Sequence, residues 1–163
     1  MVLGMSLATF TMVHVIISLI AIAAGLIVMF GMLGSRRPGG LTGIFLLFTI
    51  LTSATGFLFP FTGLTPGLMI GTLSLVLLAI ACIALYGMRL AGPWRWIYAV
   101  TALLSLYLNV FVLAIQSFLK IPALTAVAPG NPPSGPVFAV VQGVVLVFFV
   151  LMIVGAWRRF RPV

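Results

Sequence analysis

The sequence predicts an all-α integral membrane protein built as a bundle of five transmembrane helices. Hydrophobic residues make up 64% of the 163 residues and charged residues only 5%, whereas soluble domains carry about 25% charged residues. The mean hydropathy is +1.41. Five apolar runs are each long enough to cross the hydrocarbon core of a bilayer, which needs about 20 helical residues. The whole chain, residues 1–163, is therefore predicted to form a single transmembrane helical domain.

Turn-forming residues separate the five apolar runs and define the predicted spans. The spans lie near residues 8–33, 41–60, 67–88, 95–119 and 137–157. The connections are rich in Gly, Pro and basic residues, and they read "GSRRPGG", "FTGLTPG", "RLAGPWR" and "IPALTAVAPGNPPSGP". The last connection, a Pro-rich loop at 120–136, is the longest. Two roles stay open for this loop, an ordered lid or a stiff spacer.

The positions of the basic residues predict how the chain is oriented. Seven arginines fall on one side of a five-span chain, and they are Arg36, Arg37, Arg89, Arg95, Arg158, Arg159 and Arg161. Lys120 alone falls on the other side. Because positively charged loops stay in the cytoplasm, the N-terminus is predicted outside and the C-terminus in the cytoplasm. The net charge of +8 does not indicate a nucleic-acid partner, since no segment is long enough to form a basic aqueous face.

The residue inventory excludes several kinds of chemistry. The chain contains no Asp or Glu, one His and one Cys. It therefore lacks a carboxylate pair, an acid-oriented catalytic triad and an oxygen cage for Mg²⁺ or Ca²⁺. Cys82 has no partner for a disulfide or a thiolate metal site. We predict no catalytic residue, no metal and no cofactor, and a nucleophile assisted by His14 is the one formal route that remains to an enzyme.

Polar side chains follow one face of the fourth predicted span. Residues spaced by three, four or seven positions share a helix face. We call the set with this spacing the polar stripe: Tyr98, Thr101, Ser105, Asn109, Gln116 and Lys120. At about 1.5 Å of rise per residue, Asn109 lies about 16 Å inward of Lys120. Lys120 can extend its side chain to the aqueous interface.

Three other spans are predicted to bring polar side chains to the same half of the membrane as Asn109. The first contributes Thr11, His14 and Ser18, the second Thr49, Thr52, Ser53 and Thr55, and the fifth Gln142. Their meeting predicts a polar cavity, or a hydrogen-bonded knot, open toward the outside. Small hydroxyls in such a place bond to their own helix or to a neighbouring one. Buried amides cost more to leave unpaired, so interhelical bonding and ligand contact both stay open for Asn109 and Gln116, as do packing and a ligand or proton role for His14.

Four short segments carry a resemblance to known proteins. These are "TGFLFPF" at 55–61, "LYLNVFVL" at 106–113, "QSFLKIPAL" at 116–124 and "AP" at 128–129. With them the chain resembles uncharacterised small polytopic inner-membrane proteins of proteobacteria. The resemblance implies a multi-pass protein of the bacterial inner (plasma) membrane and no transferable function. Such proteins tend to carry an acidic residue in the Pro-rich segment before the last helix, and "NPPSGP" has none.

Two functions fit these observations. The first is a non-catalytic accessory or structural subunit that associates with another membrane protein or with itself, its polar stripe holding its own helices together. The second is a binding or transport module for a lipid, an isoprenoid or a quinone-like molecule entering from the outer side. The candidate ligand contacts for the second function are His14, Asn109, Gln116, Lys120 and Gln142. The space beside the polar stripe distinguishes the two functions. An accessory subunit predicts that neighbouring side chains fill this space, and a binding module predicts a cavity there.

Overall fold

The computed structural model describes residues 1–37, 39–61, 63 and 65–161. Its helices are α1 (Leu7–Leu33), α2 (Gly39–Gly56), α3 (Pro66–Cys82), α4 (Trp94–Lys120), α5 (Pro122–Val127) and α6 (Pro136–Arg159), with a π-helical turn, Ile83–Gly87, extending α3. When α3 is taken together with its π-helical turn, as Pro66–Gly87, all except α5 are long and apolar enough to cross a bilayer. The predicted all-α fold with five spans is confirmed, and the orientation of the bundle stays a prediction.

Local sequence signals determine where the helices begin. The Ser6 hydroxyl oxygen accepts a hydrogen bond from the backbone N–H of Thr9 at 3.1 Å, and Thr65 does the same for Leu68 at 3.3 Å. Both satisfy backbone N–H groups that a first helical turn otherwise leaves unpaired. Three helices begin with proline, which needs no N–H partner at that position: Pro66, Pro122 and Pro136.

Two connections differ from the prediction. Helix α2 ends at Gly56, four residues before the predicted end at 60, because glycine is a weak helix former and Pro60 disfavours the helical conformation at the preceding residue. The predicted loop at 120–136 contains α5, and Lys120 itself belongs to α4. The Thr125 hydroxyl donates to the carbonyl oxygen of Phe118 at 2.7 Å, which holds α5 against the end of α4.

Helices α1 to α4 form a ring in which each contacts its two neighbours. Helix α1 contacts α2 and α4, and α3 contacts the same two helices. Helix α6 packs outside this ring, against α4 and α1. The Tyr107 and Phe149 rings lie 5.6 Å apart, and Gln142 Nε2 donates to the Phe111 carbonyl oxygen at 3.1 Å. These contacts attach α6 to α4.

The described arginines gather at one end of the bundle. The backbone N–H of Arg161 donates to Ser35 Oγ at 2.8 Å, which brings the C-terminal basic cluster to the loop after α1. The rings of Tyr98 and Phe160 lie 5.9 Å apart at the same end. We call this the arginine end and the opposite one the Lys120 end. A close-packed core that includes Met29, Phe45 and Leu103 lies between the helices.

Cysteine labelling tests the predicted orientation. In a Cys82→Ala background, Ser134→Cys at the Lys120 end should react with a membrane-impermeant maleimide added to intact cells. Met88→Cys, exposed at the arginine end, should react only after the membrane is opened, because the basic loops stay cytoplasmic. Labelling of Met88→Cys in intact cells with Ser134→Cys protected would reverse the topology.

Candidate functional site

A cavity of about 660 Å³ opens at the Lys120 end, between the four helices of the ring. Its walls come from residues 7–15 of α1, 52–61 of α2 and the following turn, 67–74 of α3, and 108–121 of α4 and its end. We call it the Lys120 cavity. Most of its lining side chains are apolar, and polar groups interrupt them at separate depths. The size lies within the range of about 300–1,000 Å³ found for small-molecule sites.

Four of the five candidate residues line the Lys120 cavity: His14, Asn109, Gln116 and Lys120. Lys120 and Gln116 are exposed at its lip, one helical turn apart. Gln142 does not line the cavity, because it lies on α6 outside the ring and its amide nitrogen is bonded to the Phe111 carbonyl oxygen. The Gln142 Oε1 atom is buried and has no partner among the described residues.

Asn109 joins α4 to α1 and keeps one unpaired donor. The Ser18 hydroxyl donates to Asn109 Oδ1 at 2.8 Å, so part of the amide is interhelical glue. The side chain is 9% exposed, and its Nδ2 is buried with no partner within the part of the chain that the structure describes. Leaving a buried donor unpaired costs about 1–3 kcal/mol. Asn109 therefore combines a structural bond with capacity for a further acceptor.

His14 connects α1 to the end of α2. Its Nδ1 lies 2.8 Å from Thr55 Oγ1, and its ring meets the ring of Phe59 edge-on at 5.2 Å. The Phe59 ring also lies 5.0 Å from that of Phe10. The turn after α2 is thereby fastened over α1, and it forms one wall of the cavity.

That turn is the part of the site that sequence reasoning missed. Phe57, Phe59 and Phe61 all line the Lys120 cavity, whereas the sequence indicated the loop at 120–136 as the possible lid. Within the described residues, the predicted loop contributes to the lining only its first two residues, Lys120, which belongs to α4, and Ile121. The aromatics clustered around Pro60 in "FLFPF", directly after Gly56, were the available signal.

The small hydroxyls of the lining are bonded within their own helices. Thr11 donates to Leu7, Thr52 to Phe48 and Ser117 to Leu113, each to a carbonyl oxygen at 2.8 Å. Deeper in the polar stripe, Thr101 and Ser105 do the same. Thr101 and Ser105 are thus satisfied within α4, and the remaining hydroxyl pair of the lining, Ser53 with Ser74 at 3.1 Å, bridges α2 and α3. The exposed polar donors of the lining are therefore Lys120 and Gln116 at the lip.

A double-mutant cycle measures how much the hydrogen bond between Ser18 and Asn109 contributes to stability. Ser18→Ala should cost about 0.6 kcal/mol, the average for a hydrogen bond between membrane helices. Asn109→Leu should cost about 0–1 kcal/mol, because it removes the same bond and also an unpaired donor. The two changes should couple by about 0.6 kcal/mol in unfolding free energies measured in detergent. Ser117→Ala, which loses a bond inside α4, is the control and should show no such coupling, and zero coupling for the Ser18 pair would contradict the assignment.

Comparisons of the chain with models of protein families, with curated proteins and with solved structures find no match.

Proposed function

We propose that the protein binds an amphipathic molecule in the Lys120 cavity and works as a binding or transport module for it. The observation that carries this proposal is unfilled volume. Side chains that served only to hold the helices together would be packed against one another, yet about 660 Å³ remains between them. A space of this size is large enough for a lipid chain or an isoprenoid.

The distribution of polarity supports an amphipathic ligand. Apolar side chains of α1, α3 and α4 offer a surface for hydrocarbon, and Val15, Ile70 and Val112 are among them. Polar groups lie at the lip, where Lys120 and Gln116 are exposed. An amphipathic ligand would place its polar head against Lys120 and Gln116 and its hydrocarbon chain against the apolar walls.

The proposal includes the direction from which the ligand enters and the membrane in which the protein lies. The charge bias predicts that the Lys120 end faces outward, so the ligand enters from the outer leaflet. The resemblance of "LYLNVFVL" and "QSFLKIPAL" to proteobacterial inner-membrane proteins supports a bacterial inner membrane as the location.

Native mass spectrometry tests the binding function. The protein is extracted from its own membranes in mild detergent and released from detergent in the spectrometer. We expect a mass adduct of one amphiphile per chain that survives exchange into fresh detergent, since a ligand held in a cavity dissociates more slowly than annular lipid. Recovery of the bare chain only, before and after incubation with the extracted membrane lipids, would contradict the proposal.

The second candidate is an accessory subunit, which the exposure of α6 favours. Only 6% of its most apolar stretch is buried, and Val140, Gly143 and Val144 border a shallow groove along it. A small residue in such a groove lets another membrane helix approach closely. The same mass spectra test this role, because a stoichiometric integral membrane partner that is lost in Gly143→Leu is expected from docking on α6 and not from ligand binding.

A further inference from the structure

Lys120 has no acidic side chain in this sequence with which to pair. The sequence contains no Asp or Glu, so no side chain of this protein can form an ion pair with it. Every other described basic side chain lies at the arginine end, while the Lys120 ammonium group stands at the lip of an apolar cavity. Charge-assisted bonds from an ammonium group to phosphate or carboxylate oxygens are among the stronger hydrogen bonds in proteins. A bound molecule with an anionic head would complete this site.

The hydrogen bonds around His14 favour a proton on its Nδ1 atom. The Thr55 hydroxyl donates its single proton to a backbone carbonyl oxygen, that of Leu51, at 2.6 Å. Because two carbonyl oxygens, those of Leu51 and Thr52, lie within reach of this hydroxyl, the geometry favours the imidazole N–H as the donor in the 2.8 Å contact with Thr55. In the neutral ring Nε2 is then an acceptor. Nε2 has no protein partner among the described residues and is not sealed from solvent as the unpaired Asn109 nitrogen is.

The depths of these groups order the contacts along a ligand. Ser18 is bonded to Asn109 and lies at the same depth. His14 precedes Ser18 by one helical turn on α1, so it lies about one turn closer to the Lys120 end than Asn109 does. By helical rise this is about 10 Å below the Cα of Lys120, with Gln116 about 6 Å below it. From the lip inward, the order is thus the Lys120 cation, the Gln116 amide, the His14 Nε2 acceptor and, deepest, the buried Nδ2 donor of Asn109.

We propose, on the basis of the binding function above, that the ligand is a single-chain amphiphile whose anionic head carries a free hydroxyl on its chain side. The phosphate or carboxylate pairs with Lys120, the hydroxyl donates to His14 Nε2, and the chain fills the apolar part of the cavity. A methylene group occupies roughly the 30 Å³ of a water molecule, so about 660 Å³ suits one chain with its head and not two. Monoacyl glycerol phosphates have this chemistry, whether they derive from bilayer lipids or from a soluble precursor.

Three probes with the same palmitoyl chain separate the two contacts on the wild-type protein. Lysophosphatidic acid carries the anion and the hydroxyl, its 2-deoxy analogue carries only the anion, and lysophosphatidylcholine carries the hydroxyl without net charge. Dissociation constants are measured by native mass spectrometry titration at low ionic strength. We expect the first probe to bind about tenfold more tightly than either of the others, as one hydrogen bond or one charge contact in a partly buried site predicts.

Substitutions assign each preference to its residue. Lys120→Gln should abolish the preference for anion over zwitterion and keep the preference for the hydroxyl, and Lys120→Arg should preserve both. His14→Phe should abolish the hydroxyl preference and keep the charge preference. Arg158→Gln removes one positive charge at the arginine end and should change neither. Because His14 is the only histidine, its two ¹⁵N ring resonances are unambiguous, and the Nε2 resonance should shift on binding of the hydroxyl probes alone.

Three outcomes would overturn this inference, and they differ in what they imply for the binding function. Equal affinity of the wild type for all three probes would refute the head-group assignment and leave the cavity as a site for a different amphiphile. If none of the probes binds and native extracts yield no adduct, the ligand class and the binding function both fail. A two-chain phosphatidic acid that binds as tightly as lysophosphatidic acid would refute the single chain.

Discussion

Replacing Val112 by tryptophan is expected to remove the bound amphiphile from the Lys120 cavity. Val112 lines the apolar part of the cavity, on α4 between Asn109 and Gln116. A tryptophan side chain there fills space that we assign to the ligand chain, so the occupancy of the native adduct should fall at least about tenfold. A ligand at about 100 times its Kd stabilises a protein by about 2.7 kcal/mol. The variant should therefore also lose the stabilisation that added ligand gives the wild type.

The matched control is the same substitution on the lipid-facing surface. Val76 on α3 is 53% exposed and does not line the Lys120 cavity. Val76→Trp should retain the wild-type adduct and the wild-type response to ligand, both measured by native mass spectrometry and thermal unfolding in detergent. If the two tryptophan variants retain the adduct equally, the ligand is bound elsewhere on the protein.

Substitution of Gly25 is expected to have the largest effect on the fold. Gly25 is buried in α1, where this helix meets α2 and α4. A Cβ at this position would lie 2.6 Å from Leu106 Cδ1 and 2.8 Å from the Phe45 ring, closer than carbon atoms approach. Overpacking of this kind costs about 1–3 kcal/mol for a small addition. We expect Gly25→Ala to destabilise by about that amount and Gly25→Leu to prevent the helices from assembling.

Thermal unfolding and size-exclusion chromatography in mild detergent measure this effect. Gly43→Ala is the control, because a Cβ there meets no atom within 4 Å and the change should be neutral or slightly stabilising. A Gly25→Ala protein as stable as Gly43→Ala would show that α1 can move away from α2 and α4 without loss. Close approach through small residues would then not hold this ring together.

The spans were predictable because each depends on its own residues. With the π-helical turn counted as part of the third span, the first, third, fourth and fifth predicted spans differ from the observed ones by at most two residues at either end. A bilayer requires a minimum apolar length and hydrogen-bonded backbone, and both can be read locally along a chain. The early end of α2 at Gly56 was the exception, because the apolar residues 57–60 continue the hydrophobic run after the helix has stopped.

The candidate site was predictable in part. Helical spacing placed Asn109, Gln116 and Lys120 on one face, and they do line one cavity. Gln142 was expected with them and lies on α6 instead, outside the ring. The rotation and position of such a helix leave little trace in its sequence, because α6 is apolar on all sides and lipid is as apolar as a protein interior.

The sequence by itself determined the membrane class, the number of spans and the separation of Lys120 from the arginines, since these follow from transfer energies and charges that add up residue by residue. Only the tertiary structure decided that a cavity remains beside the polar stripe, that the turn after α2 forms one of its walls, and that His14 Nδ1 lies 2.8 Å from the Thr55 hydroxyl. Empty volume is what four helices leave between them after packing, and a tautomer depends on a partner 41 residues away. Neither quantity is a property of any one segment.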